Sequence, residues 1–117
     1  MAYKINIRHL QDIKQLTTSH SCGEKRVLIG KDETDTDITH IAVTSLKAGE
    51  CVDEHTHGTM EEMFLVLDGS VEFTSYGENT ICVKDDFIHI KAGIPHGLRA
   101  LEDTRLLTIG CAVKEKD

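Results

Sequence analysis

The stretch Gly49-Glu50-Cys51-Val52-Asp53-Glu54-His55-Thr56-His57-Gly58-Thr59-Met60-Glu61-Glu62-Met63-Phe64-Leu65-Val66-Leu67-Asp68-Gly69 decides how this chain reads. His55 and His57 stand at i and i+2. On a strand that puts both imidazoles on one face, about 6–7 Å apart along the backbone, so both can reach one ion. Gly58-Thr59-Met60 can turn the chain, and Glu62 then opens a neighbouring strand with its carboxylate able to return to the same point. A His-x-His pair alone is weak evidence, because a chain with 7 histidines supplies about 0.4 such pairs by chance. Requiring Gly49, Glu62 and Gly69 at their offsets lowers that expectation to roughly 10⁻⁴. The spacing carries the signal.

Outward from this stretch, short apolar runs broken by turn residues every 8–12 positions or so argue for an all-β sandwich or barrel. The strands expected are Lys4–Arg8, Arg26–Ile29, Ile38–Leu46, Cys51–His57, Glu62–Leu67, Ser70–Tyr76, Thr80–Val83, Phe87–Lys91, Gly97–Leu101 and Arg105–Val113. Asp68-Gly69 reads as a two-residue hairpin turn, with Gly77-Glu78, Ala48-Gly49 and Ala92-Gly93 as turns of other kinds, and a meander of hairpins follows. Leu10, Ile13 and Leu16 suggest one short helical stretch outside the sheet, and the acidic run Lys31 to Asp37 a solvated loop. In Glu62 to Leu67 both alternation sets are apolar apart from Glu62, so this strand should be covered on both faces. The expected cover is the N-terminal segment or a second copy of the chain, and a homodimer is the expected assembly.

Length and charge narrow the function. The 117 residues suit one domain, residues 1–117, with residues 1–25 packing on a barrel as a strand and short helix. Lys and Arg number 13 against 20 Asp and Glu, a formal charge of -7, which repels phosphate backbones and anionic membranes. Nucleic acid and membrane are therefore not expected partners. The longest apolar run, Met63 to Leu67, is far below the roughly 20 residues that span a bilayer, and no secretory signal is read at the N-terminus. Cys22, Cys51, Cys82 and Cys111 form no C-x-x-C pair and read as reduced thiols of a cytoplasmic protein. Cys82 and Cys111 sit in apolar strand-like runs and read as small core residues.

At this point the chain resembles the cupins. Gly49, five residues, His55-Thr56-His57, four residues, Glu62, six residues and Gly69 fit the first cupin motif (residues 49–69) without a gap. The second motif fits residues 85–100 in length and in Gly93 and His96, with Asp85, Lys91 and Ala100 standing where it prefers Gly, Pro and Asn. The resemblance implies a small single-domain metal-binding cupin: a jelly-roll barrel of two antiparallel sheets holding one metal ion on His55, His57, Glu62 and His96. Three neutral imidazoles and one carboxylate suit a divalent transition metal ion such as Fe, Mn, Ni, Co, Cu or Zn, and suit Ca or Mg poorly. Four protein ligands on an octahedral ion leave two positions for substrate, water or dioxygen.

Strand parity adds expectations about the pocket. Cys51 and Asp53 share parity with His55 and His57, so Cys51 is a candidate pocket-lining thiol and Asp53 a candidate acid or base, provided that no bulge intervenes. Phe64, Val66, Val71 and Phe73 have the parity of barrel lining, His89 is a further candidate lining residue, and Arg99 falls on the opposite parity. His9, His20 and His40 read as ordinary surface or core histidines. The function expected is an oxygenase, or a sugar or keto-acid isomerase, acting on a small anionic or enolisable molecule. The alternative is a non-catalytic module that binds a sugar or organic acid. Cupins span these chemistries, so the resemblance does not choose among them.

Overall fold

The computed structural model describes residues 5–18 and 22–114. Its strands are β1 (Leu16–Thr17), β2 (Glu24–Gly30), β3 (Ile38–Leu46), β4 (Cys51–His55), β5 (Met60–Asp68), β6 (Ser70–Ser75), β7 (Glu78–Val83), β8 (Phe87–Ile90), β9 (His96–Ala100) and β10 (Thr104–Ala112). They form a six-stranded sheet in the order β1-β2-β3-β10-β5-β8 and a four-stranded sheet in the order β4-β9-β6-β7. Every pairing is antiparallel. The two sheets face each other as a jelly roll.

The core lies between the sheets and follows from alternation. Along β5 the inward set Glu62, Phe64 and Val66 is buried, while Met63, Leu65 and Leu67 on the other face are half-buried. Phe64 of the larger sheet meets Phe73 of the smaller one with ring centroids 5.6 Å apart, joining the layers. Leu106, Val66 and Val71 are fully buried, and each such side chain contributes roughly 1.5–3 kcal/mol. Glu62 and His96 are buried at one end of this interior, while at the crossover between the sheets the buried Ser70 and Thr104 hydrogen-bond each other.

Four local expectations change. The meander does not form: among the described residues only β1–β2, β2–β3 and β6–β7 pair as neighbours in sequence. Asp68-Gly69 closes no hairpin, because β5 and β6 lie in different sheets and the chain crosses between layers there. A type I′ turn needs positive φ at both central residues, and that condition is met instead at Tyr76 (φ 50) and Gly77 (φ 78), between Ser75 and its partner Glu78. Ile5 to His9 forms no strand, and the helical stretch is a single 3₁₀ turn, Leu10–Asp12. His20 and the last three residues lie outside the described residues.

Candidate metal centre

Three elements and one loop deliver the site. β4 runs beside β9, with Cys51 opposite Arg99, Val52 opposite Leu98 and His55 opposite His96, and the register slips between Val52 and His55. This irregularity is the bulge that breaks simple parity, since a bulge adds a residue to one strand and re-aims the side chains that follow. Val52 therefore faces inward, whereas Cys51 and Asp53 are exposed. His57 follows β4 in the turn, Glu62 enters from β5 and His96 opens β9.

The ligand atoms converge. His55 Nε2 and His57 Nε2 are 3.0 Å apart, His57 Nε2 and Glu62 Oε1 3.1 Å, and His96 Nε2 and Glu62 Oε1 3.0 Å. One donor atom from each of the four residues lies within 4.8 Å of the others. Bonds of about 2.1 Å at right angles put adjacent donors about 3.0 Å apart, while tetrahedral angles would put them about 3.4 Å apart. The observed spacings match adjacent positions of an octahedral ion.

The imidazole tautomers agree with this fit. His55 Nδ1 donates to the Asp53 carbonyl at 2.8 Å, and His96 Nδ1 donates to the Ile94 carbonyl at 2.9 Å. A carbonyl only accepts, so in neutral His55 and His96 the Nε2 lone pairs face the centre, as in sites where backbone oxygens orient metal-binding histidines. The His96 lone pair would otherwise meet the Glu62 carboxylate, so a proton or a cation must lie between them. In the ion-free cluster burial works against charging His96, yet the Glu62 hydrogen bond, the Ile94 carbonyl and the Glu62 charge outweigh it and raise its pKa. Burial also opposes the Glu62 carboxylate, but the His96 hydrogen bond and the charges of His57, His96 and His55 hold its pKa below the usual range. For His57 burial dominates, Glu62 opposes it, His55 and His96 reinforce it, and the pKa falls. Each titration is thus tied to the other members of the cluster, and a divalent cation would satisfy all four groups at once.

A cavity of about 150 Å³ opens beside the cluster. Phe64 lines it as parity suggested, together with Val52, Leu98 and Leu106. Val66, Val71 and Phe73 point inward but are packed into the core away from the cavity. Cys51 is exposed, and its carbonyl accepts from the Cys22 thiol. His89 is exposed on β8 and pairs with Glu61 at 2.5 Å, so the structure does not bring it to the cluster. Arg99 faces solvent beside Glu72. Among the cavity residues that the sequence reading did not place there are Lys25 and His40. Lys25 falls one residue before the expected strand Arg26–Ile29 and His40 within Ile38–Leu46, and only the ladder register says which face of each strand looks inward.

A two-sheet β barrel that gathers three imidazoles and a carboxylate at one end defines a class of metal-site proteins. The chain belongs to the cupin domain family, whose model matches residues 42–110, more than half of its length. Over 63 residues it is 36% identical to the quercetin 2,3-dioxygenase of Bacillus subtilis (strain 168); the match covers 54% of this chain and only 19% of that protein. A predicted oxalate decarboxylase from Thermotoga maritima superposes with a TM-score of 0.82 at 17% identity, covering 92% of this chain and 100% of that one. A conserved protein of unknown function from Streptococcus pyogenes shows 27% identity and a TM-score of 0.69, with 98% of each chain covered. No helix among the described residues is long and apolar enough to cross a membrane.

Proposed function

We propose that this cupin is a metal-dependent enzyme acting on a small anionic or enolisable organic molecule, with dioxygenation ahead of sugar or keto-acid isomerisation. The observation that carries the reading is the convergence of one donor atom from each of four residues, all within 4.8 Å of one another, at the edge of a cavity. The dioxygenase named among its relatives supports the order of the two reactions. A divalent transition metal ion bound there would supply Lewis acidity and two positions open to exogenous oxygen donors.

The chain's own contributions are distinct. His55, His57, Glu62 and His96 would hold the ion. The Asp53 and Ile94 carbonyls fix two of the imidazoles. Phe64, Val52, Leu98 and Leu106 give the substrate an apolar wall that limits water. The four free thiols agree with a reducing, cytoplasmic setting. The proposed assembly is one domain per chain and two chains per molecule, with a small molecule rather than nucleic acid as ligand.

The test is reconstitution with Fe(II), followed by oxygen consumption and product analysis across diketones, thiols and aromatic diols. Oxygen uptake matched to substrate loss is expected. Conversion of a sugar or keto acid without oxygen uptake would identify the isomerase instead, and saturable binding without product would identify the binding module. His57→Ala should lose most of the bound metal by elemental analysis, and unchanged metal content would overturn the site.

A further inference from the structure

The cavity has a second polar wall. Facing the ligand cluster, the larger sheet contributes Lys25 from β2, His40 and Thr44 from β3 and Thr108 from β10. We propose that Lys25 is the carboxylate-binding residue of this cavity. The ligand is then a small α-keto or α-hydroxy acid, with its carboxylate on the Lys25 ammonium and its second oxygen at the metal. The inference rests on the metal-site reading above and names the substrate class for that site.

The register places Lys25 on the inner face. Lys25 lies opposite Thr44, and Thr44 opposite Leu106, whose side chain is fully buried in the core. Thr44 Oγ1 and Thr108 Oγ1 are 3.1 Å apart, a hydroxyl pair that shares the same inward surface. His40 and Glu62 flank Gly110 on its two sides, one from β3 and one from β5. His40 lines the same cavity as Lys25 and the four-residue cluster.

Charge and size then select the ligand. Lys25 is half-buried, and among the described residues it makes no ion pair. An ammonium beside apolar Leu46, Phe64 and Leu106 gains most from an anion that enters the same space. A divalent ion on one carboxylate keeps about +1 charge, so Lys25 makes the cavity dicationic in a chain whose formal charge is -7. That local field favours an anion over a neutral analogue of the same shape. A cavity of about 150 Å³ is smaller than the roughly 300–1,000 Å³ that houses drug-sized ligands, so the acid has few non-hydrogen atoms.

The probe pair is 2-oxobutanoate and its methyl ester, which keep the oxygen donors and differ in charge. Titration calorimetry on the Co(II)-loaded protein should show the acid bound at least about tenfold more tightly, as a charge-assisted contact implies. Lys25→Met should cut that preference at least about fivefold, leaving what the ion's own charge sustains, with metal content unchanged, and Lys25→Arg should keep the full preference. Lys25→Gln serves as a second neutral variant if Lys25→Met does not fold. Absence of acid binding, equal binding of acid and ester by the unaltered protein, or a preference that neither neutral variant reduces overturns the proposal. If elemental analysis finds no Co(II) bound, the metal reading fails separately. The same titration on metal-free protein then decides Lys25, with a Lys25-dependent preference supporting the assignment and its absence ending it.

Discussion

Asp85 sits in the left-handed backbone region with φ of 74°, where its N–H donates to the Val66 carbonyl at 2.8 Å. An L side chain there costs energy that glycine avoids, and the glycine favoured at this motif position has that physical reason. Asp85→Gly should stabilise the fold by about 0.5–1 kcal/mol, read from urea denaturation, with no change in metal binding; a loss of stability would contradict the strain. A second prediction at this scale concerns protons. The imidazoles ligate in their neutral form, so protons compete with the ion. On acidification His96, whose pKa Glu62 and Ile94 raise, takes its proton first, and Glu62, held low by the histidines, takes its proton last. Metal occupancy should therefore fall between roughly pH 7 and 5. Occupancy that stays flat across that range by elemental analysis after dialysis would argue against histidine ligation.

At the scale of elements, β4 and β9 depend on Gly97. A Cβ there would lie 2.8 Å from the Val52 carbonyl oxygen and 2.9 Å from Glu54 N, inside the bulged part of β4 that carries His55. Gly97→Ala must push that backbone away, at a cost of about 1–3 kcal/mol. The displaced imidazole should weaken metal affinity by roughly 10–100-fold, measured by competition with a chelating dye. Affinity unchanged within about twofold would show that the bulge does not position His55. This pair of strands also explains what could be read beforehand and what could not. The four-residue cluster and the two-sheet architecture were legible, because the spacing of His55, His57 and Glu62 is local and one-dimensional, and the resemblance to the cupin motifs supplied His96 and the jelly roll. The outward placement of Cys51 was not recoverable, because a bulge is invisible to parity and reverses it. The Asp68-Gly69 turn failed for a different reason: Gly69 has positive φ, but it is set against the Asp103 carbonyl and Thr104, where the chain changes sheets. Hairpin and crossover use the same residue chemistry, and only pairing distinguishes them. Lys25 and His40 were not assigned to the cavity because both lie outside the motifs, and strand pairing rather than spacing turns them toward it.

For the whole molecule, the outer face of the six-stranded sheet is the feature that demands a partner. One cross-strand row reads Phe87, Leu65, Leu107 and Val43, and the next reads His89, Met63, Ile109, Ile41 and Ile29. Among the described residues, Leu10 of the 3₁₀ turn shares a crevice with Val43, Arg26 and Arg105 at one side of this surface. Phe87 remains 63% exposed. Two rows, each apolar across four strands, with Arg26 ending the first and His89 the second, are more than scattered surface residues, and such patches mark contact surfaces. A two-fold dimer is the simplest closed use of one patch, since the same surface serves both copies. Light scattering should give twice the 13.0 kDa chain mass. The double variant Leu107→Glu/Ile109→Lys should halve that mass, because it buries two charges in any contact across these rows, while its metal content stays unchanged since both side chains face away from the cavity. A monomeric parent protein would remove the argument for the dimer, and a variant that remains dimeric would move the interface to another surface.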